Sequence, residues 1–173
     1  MPNHNPNATR NLDIYGHPVL PWSRPRDLLA AGLFFGRPAF LGTVRPDGRP
    51  HSAAIGALWL DGEIYFTSGP KTRKALNLAV NPACTLSAKL ENIDMVFEGK
   101  AIRVTEPAIL EEVAAACRET GWPVVVENQA FSGPFSAPSA GPPPWHLYHF
   151  VFHQAVGNAT AEPHGATLWK FTT

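Results

Sequence analysis

Lys71, Arg73 and Lys74 fall within four residues of one another, with Thr72 among them, directly after a run of strand composition ending Tyr65-Phe66-Thr67-Ser68. Where a strand hands over to a helix at such a segment, hydroxyls, cations and unsatisfied backbone N–H groups converge at the positive end of the helix dipole, which is the chemistry of an anion site. Cations at a helix N-terminus are disfavoured unless an anion compensates them, so a phosphate would account for their presence. A solvated basic turn is the other reading of the same residues. Asn77, one turn further on, contacts that phosphate or lies in the helix interior.

Other chemistries find less support. His146, His149 and His153 would share a face at zinc-ligand spacing on a helix, but Leu147, Tyr148, Phe150, Val151 and Phe152 between them have strand composition. On a strand His146 points away from the other two, which lie about 13 Å apart, too far for one ion. No metal is expected. Cys84 and Cys117 fall in apolar strand and helix interiors, where a free cysteine behaves as a small hydrophobe, and no GxSxG sequence occurs. The dinucleotide GxGxxG and phosphate-loop GxxxxGK[ST] signatures are missing too, so a phosphate must be held in another way. No catalytic side chain is assigned.

The elements around the basic segment follow from period and punctuation. The eighteen prolines concentrate before Pro25 and between Gly133 and Pro144, which makes both stretches loops or extended arms. Residues 1–25 read as an extended N-terminal arm, anchored by Ile14, Tyr15, Val19, Leu20 and Trp22. The segment Arg26 to Gly36 has helical spacing and a glycine stop. Asp47-Gly48 and Asp61-Gly62, each flanked by apolar or β-branched residues, predict three antiparallel strands joined by hairpins. A short helix carries Ala75, Leu78 and Ala79 on one face and stops before Pro82. Two further strands meet at Glu91-Asn92. A helix capped by Thr105, with Pro107 in its first turn, closes at Gly121. Two closing strands bring the total to about seven strands and three helices, a mainly β, α+β pattern matching a small antiparallel barrel rather than a doubly wound parallel sheet. The loop 131–144 reads as a stiff strap bordering a cleft.

Composition bounds the function. A chain of 173 residues fits one domain over residues 1–173, and its 45% hydrophobic content supports a core without staples. With 14 Lys plus Arg against 14 Asp plus Glu, nothing attracts phosphate backbones or anionic lipid, so neither nucleic acid nor membrane is an expected partner. Two cysteines in unrelated contexts fit a cytoplasmic location. Only 16% of residues are charged, which suggests that part of the surface is covered by a partner subunit.

The order AFLGTVRPDGRP, a strand, DGEIYFTS, and then TRKALNL with NP shortly after resembles the FMN-binding split-barrel proteins related to pyridoxamine 5′-phosphate oxidase, including their deazaflavin-dependent actinobacterial relatives. The resemblance covers about Ala39 to Val104, with a weaker echo from Pro142 to Phe171. It implies a six-stranded antiparallel split β-barrel that forms a homodimer, with cofactors between the subunits. By the same resemblance, Arg73 and Lys74 grip the cofactor phosphate. Thr67 and Ser68, with Thr72, support it, and the strand from His51 to Ala57 runs beside the isoalloxazine ring. Ser52, Ala53 and Ala54 would line that ring, and Trp145, preceded by proline, would reach the cofactor of the neighbouring subunit.

Two departures narrow the activity that the resemblance implies. His51 and Gly56 stand about where the oxidase has an Arg and a Lys that bind the FMN phosphate. The tail reads ATLWKF where the oxidase has an Arg-Leu-His motif for its substrate, so pyridoxal phosphate is not the expected product. The implied function is an oxidoreductase that uses FMN, or alternatively deazaflavin coenzyme F-420, to move a hydride to or from a small organic substrate. A flavin-binding or storage module without a substrate, a cofactor-free dimeric barrel and, last, a haem-binding barrel are the other readings.

Overall fold

A computed structural model describes residues 5–33, 39–137 and 140–172. The hairpins predicted from the Asp-Gly pairs are present. β2 (Ala39–Val44) and β3 (Pro50–Ile55) are antiparallel, and so are β4 (Ala57–Leu60) and β5 (Glu63–Ser68). In the second hairpin Asp61 and Gly62 both take left-handed backbone angles, φ +50° and +94°, as a tight two-residue turn requires. Four strands stand where three were expected, because the chain breaks at Gly56: β3 pairs with β2, and beyond the glycine β4 pairs with β5 instead.

β6 (Ala83–Leu90) and β7 (Ile93–Arg103) meet at the expected turn, where Asn92 has φ +64°. β10 (His146–Ala159) runs along β7 for almost its whole length. Its other edge is shared, by β5 over residues 146–150 and by β11 (Ala166–Lys170) over residues 154–158. The pairings β3–β2, β2–β6, β6–β7, β7–β10, β10–β5 and β5–β4 therefore wrap one path of strands into a barrel that stays open between β3 and β4, joined there only through Gly56, and splits where β10 changes partners. A bulge at His153 shifts the register and turns Ala155 and Gly157 inward, whereas Tyr148, Phe150 and Phe152 point inward before it.

The barrel interior follows the pleat. Ile93, Met95 and Phe97 are buried and alternate with exposed Asp94 and Val96, and Leu41, Leu86, Ile64, Phe150 and Phe152 meet them from the other walls. A second cluster lies outside the barrel, under α3 (Pro107–Glu119): Leu110, Val113, Ala114 and Cys117 pack on Val124, Phe131, Trp145 and Leu147. α3 starts one residue later than expected, with Glu106 rather than Thr105 at its N-cap, and Gly121 follows it at φ +89°. The proline-rich stretch was expected to be a plain strap, but it is preceded by a small hairpin, β8 (Val125–Glu127) with β9 (Ala130–Ser132), and turns back at Ala137–Gly141. Both cysteines are buried, and burial pushes each thiol up to about 12, so neither supplies a thiolate nucleophile at neutral pH.

The N-terminal arm is docked on the chain's own body. β1 (Ala8–Asn11) adds an edge strand to β11, and α1 begins inside the arm at Ser23 (Ser23–Leu28), earlier than the expected Arg26, because Pro25 fits a first helical turn. A π-helical turn, Leu29–Leu33, follows, and the expected stop at Gly36 lies outside the described residues. Of the five expected anchors, Leu20 and Trp22 are buried while Ile14, Tyr15 and Val19 are exposed. The Asp13 carboxylate accepts from the amides of Tyr15 and His17, and this tight turn lifts Ile14 and Tyr15 off the surface. Among the described residues no helix is long and apolar enough to cross a membrane, and no cluster of His, Cys, Asp and Glu is arranged to hold a metal ion.

Candidate functional site at the start of the second helix

β5 ends at Ser68, whose side chain is buried, and the turn Gly69-Pro70-Lys71 leads to Thr72, the N-cap of α2 (Arg73–Val80). Thr72 Oγ1 accepts from the amide of Ala75 at 3.3 Å and donates to the Gly69 carbonyl at 2.9 Å. A hydroxyl has one proton, so the 2.7 Å contact between Ser68 Oγ and Thr72 Oγ1 is donated by Ser68. Thr67 does not join this pair: the pleat turns it to the Tyr65 side of β5, away from Ser68.

α2 lies against β2 and β3 and turns Lys74 and Asn77, at i and i+3, towards them, while Arg73 and Lys71 stay exposed. Lys74 is only 4% exposed, and burial lowers the pKa of its ammonium. Asn77 is 0% exposed; its Nδ2 donates to Thr43 Oγ1 at 2.9 Å, and its Oδ1 has no hydrogen-bond partner among the described residues. Thr43 Oγ1 lies 3.3 Å from His51 Nδ1 across the β2–β3 ladder. Burial, followed by the charges of Arg45, Arg73 and Lys74, holds His51 below the usual histidine range. Lys71, Arg73 and Lys74 thus stand at the N-terminus of α2, and Arg45, Arg73 and Lys74 all act electrostatically on His51 beside it.

β3 forms one end of its sheet path, so among the described residues its edge away from β2 has no strand partner and leaves backbone N–H and C=O groups outside any ladder. Along it Ser52 and Ala54 are exposed on the outer face, and His51 and Ala53 are half-buried on the inner face. The donor set suits a phosphate monoester, and the open edge suits a flat heterocycle with alternating donors and acceptors.

The Trp145 side chain lies in the cluster under α3. It is 0% exposed, packs on Trp122 and Phe135 at ring-centre distances of 5.6 and 5.4 Å, and donates its indole N–H to the Gly141 carbonyl at 2.9 Å. Within one chain the indole is therefore a core residue, whereas the expectation that it reaches a neighbour's cofactor concerns a second subunit. The proline-rich turn does touch the site region: a Cβ placed on Gly69 would collide with the backbone carbonyl of Ala140. Thr43 and Arg45 were not singled out in the sequence, although the Asp47-Gly48 hairpin register places Thr43 opposite His51. The three late histidines lie on β10, as read, and His149 Nε2 pairs with Glu63 Oε2 at 2.5 Å.

No curated protein shows a significant sequence match to the chain. Solved structures share its fold at low identity. A NimC/NimA family protein from Clostridium acetobutylicum is 13% identical, with 85% of this chain and 90% of that one covered at a TM-score of 0.59. A pyridoxamine 5′-phosphate oxidase-related, FMN-binding protein from Nostoc punctiforme is 19% identical, with coverage of 88% and 92% and a TM-score of 0.58. A conserved hypothetical protein from Mycobacterium tuberculosis is 21% identical, with coverage of 91% and 89% and a TM-score of 0.57. The sequence model of pyridoxamine 5′-phosphate oxidase matches residues 36–147, more than half of the chain and the whole of the basic helix start, its hairpins and the strap. The chain belongs to the pyridoxamine 5′-phosphate oxidase family.

Proposed function

We propose that this protein is an oxidoreductase that binds a flavin-type cofactor, FMN in the first instance, and exchanges a hydride with a small organic substrate. The observation that carries the reading is the set of three cations, Lys71, Arg73 and the buried Lys74, around the Thr72 N-cap of α2. The helix dipole and the mutual repulsion of these groups both oppose that arrangement, and a bound phosphate turns both into attraction. Lys74 and Arg73 would hold the phosphate, Ser68 and Thr72 would fix the turn beneath it, and the free edge of β3 would hydrogen-bond the ring. The small side chains of Ser52, Ala53 and Ala54 let a flat ring approach. A flavin, when bound, supplies the redox chemistry, and the protein supplies binding, orientation and electrostatics.

A homodimer completes the proposal. Ala54, Phe40, Ser87 and Val96 lie side by side across β3, β2, β6 and β7 on the outer face, with Phe40 50% and Val96 39% exposed. A second copy covering this row would bury apolar surface and flank the β3 edge.

The test is to titrate the protein separately with FMN and with coenzyme F-420, following fluorescence, and to sediment the same samples. Tight binding of one identifies the cofactor. Lys74→Ala should weaken that binding by about 10- to 100-fold, the ~1.5–3 kcal/mol of a charge-assisted hydrogen bond. A folded Lys74→Ala protein with unchanged affinity removes the phosphate site, failure of both cofactors to bind removes the oxidoreductase reading, and a monomer at all concentrations removes the dimer.

A further inference from the structure

The hydrogen-bond chain from Asn77 through Thr43 to His51 has a direction that the inventory of donors and acceptors fixes. Thr43 Oγ1 accepts from Asn77 Nδ2 at 2.9 Å, so the Thr43 proton remains to be given. Two acceptors are within reach, His51 Nδ1 at 3.3 Å and the His51 carbonyl at 3.5 Å, and the ring nitrogen is the nearer. An Nδ1 that accepts carries no proton, which leaves the proton of a neutral ring on Nε2. Turning the Asn77 amide over would reverse the chain. It would also leave an unpaired amino group on a helix face that already carries Arg73 and Lys74, four and three residues back, whereas the orientation present leaves a carbonyl oxygen there.

The groups facing His51 are Thr43 on β2, Arg45 in the β2–β3 hairpin, and Arg73 and Lys74 on α2. None is an anion. We propose that the Asn77–Thr43–His51 chain holds His51 as the neutral imidazole with its proton on Nε2, so that the ring offers one N–H donor, and no fourth positive charge, to an anionic group bound at the start of α2. Ring geometry turns Nε2 away from Thr43, and His51 is only half-buried. The ligand atom it meets must then be an acceptor, such as a phosphoryl oxygen. Thr43 and Asn77 are positioning residues that act through His51. The ligand half of this proposal rests on the phosphate reading above, and the tautomer half does not.

The experiment is a long-range proton–nitrogen NMR correlation of the full chain, labelled with nitrogen-15 in histidine, at neutral pH and without ligand. A His51→Gln sample identifies the His51 signals. The expected pattern is a pyridine-like Nδ1 with a pyrrole-like Nε2; the reverse pattern, or an imidazolium, overturns the proposal. Thr43→Val, which keeps the shape and removes the hydroxyl, should mix the two tautomers, and Thr43→Ser should restore one. An unchanged tautomer in folded Thr43→Val overturns the relay. Should that variant fail to fold, Asn77→Ala is read in the same way, since it frees the hydroxyl to rotate. Inorganic phosphate and then FMN are next added to the unsubstituted protein and should shift Nε2 and its proton. Binding that depends on Lys74 and leaves His51 Nε2 unmoved overturns the donor role. If neither ligand binds while the tautomer is as stated, the phosphate reading fails and takes the donor role with it, and the relay stands.

Discussion

The barrel interior and the cluster under α3 share a wall and are built by different means. β5 and β10 divide them: Ile64, Phe66, Tyr148 and Phe150 face the barrel, while Leu147 faces α3 and half-buried Tyr65 packs on that side. The barrel is made of paired strands, so the inward residues of β2, β5, β6, β7 and β10 are fixed by a ladder on both sides. The cluster under α3 is made of one helix, a hairpin of three-residue strands and a proline-rich turn, so Trp145 owes its position to packing, to a two-way backbone bridge with Phe131 and to the indole hydrogen bond to Gly141. The candidate site lies where the two meet. The barrel supplies Thr43, His51 and the edge of β3, whereas the outer cluster braces the turn at Gly69 through Ala140. A disturbance of the barrel should therefore cost the whole fold, and a disturbance of the outer cluster should cost mainly the shape of the site.

The largest effect is expected from Phe97→Ala. Phe97 is buried at the centre of the barrel, against Phe152 at 5.3 Å, and deleting the ring should cost ~3–5 kcal/mol of stability. Urea unfolding followed by both fluorescence and far-ultraviolet circular dichroism should show one transition moved to lower denaturant. Two separated transitions would show instead that the outer cluster unfolds independently, and the shared wall would lose its meaning.

A smaller global effect with a larger local one is expected from Gly69→Ala. The added methyl group meets the carbonyl of Ala140, which is backbone and gives way poorly, so ~1–3 kcal/mol of overpacking follows. The strain falls between Ser68 and Thr72, so cofactor affinity should drop along with stability. Gly56→Ala, where a Cβ meets nothing within 4 Å, is the matched control and should change stability by no more than ~0.5 kcal/mol. Equal effects of the two substitutions on affinity would show that the strap does not brace the site.

How much of this was legible in the sequence divides along the same wall. Barrel strands announced themselves because period-2 alternation and Asp-Gly turns are local signals, and the site turn did so because Thr72, Arg73 and Lys74 are contiguous. The break at Gly56 was not legible, since a change of pairing partner leaves alternation intact on both sides. β1 was missed because its four exposed residues carry no apolar pattern at all. Thr43 and Arg45 were missed because their roles arise only after the hairpin register sets Thr43 opposite His51 and packing brings Thr43 to Asn77 of α2. The burial of Trp145 was not legible for a related reason: a tryptophan after prolines looks the same in sequence whether it stands at a cleft or packs under α3.

That ambiguity is what Trp145→Phe addresses, with the smallest expected effect. Phenylalanine keeps most of the packing on Trp122 and Phe135 and removes the N–H that Gly141 accepts, so stability should fall by ~0.5–1.5 kcal/mol. Its loss should add to that of Phe97→Ala within ~0.5 kcal/mol, because the two side chains belong to separate clusters with no shared partner. Hydrogen exchange should quicken at the amides of Ala137 and Gly141, which close the turn, and cofactor affinity should fall only slightly, through Ala140 and Gly69. If instead affinity collapses while the turn's amides stay protected, the indole acts on the cofactor directly. Trp145 would then have to leave the outer cluster when a second subunit binds, and that cluster would be part of the binding machinery rather than its brace.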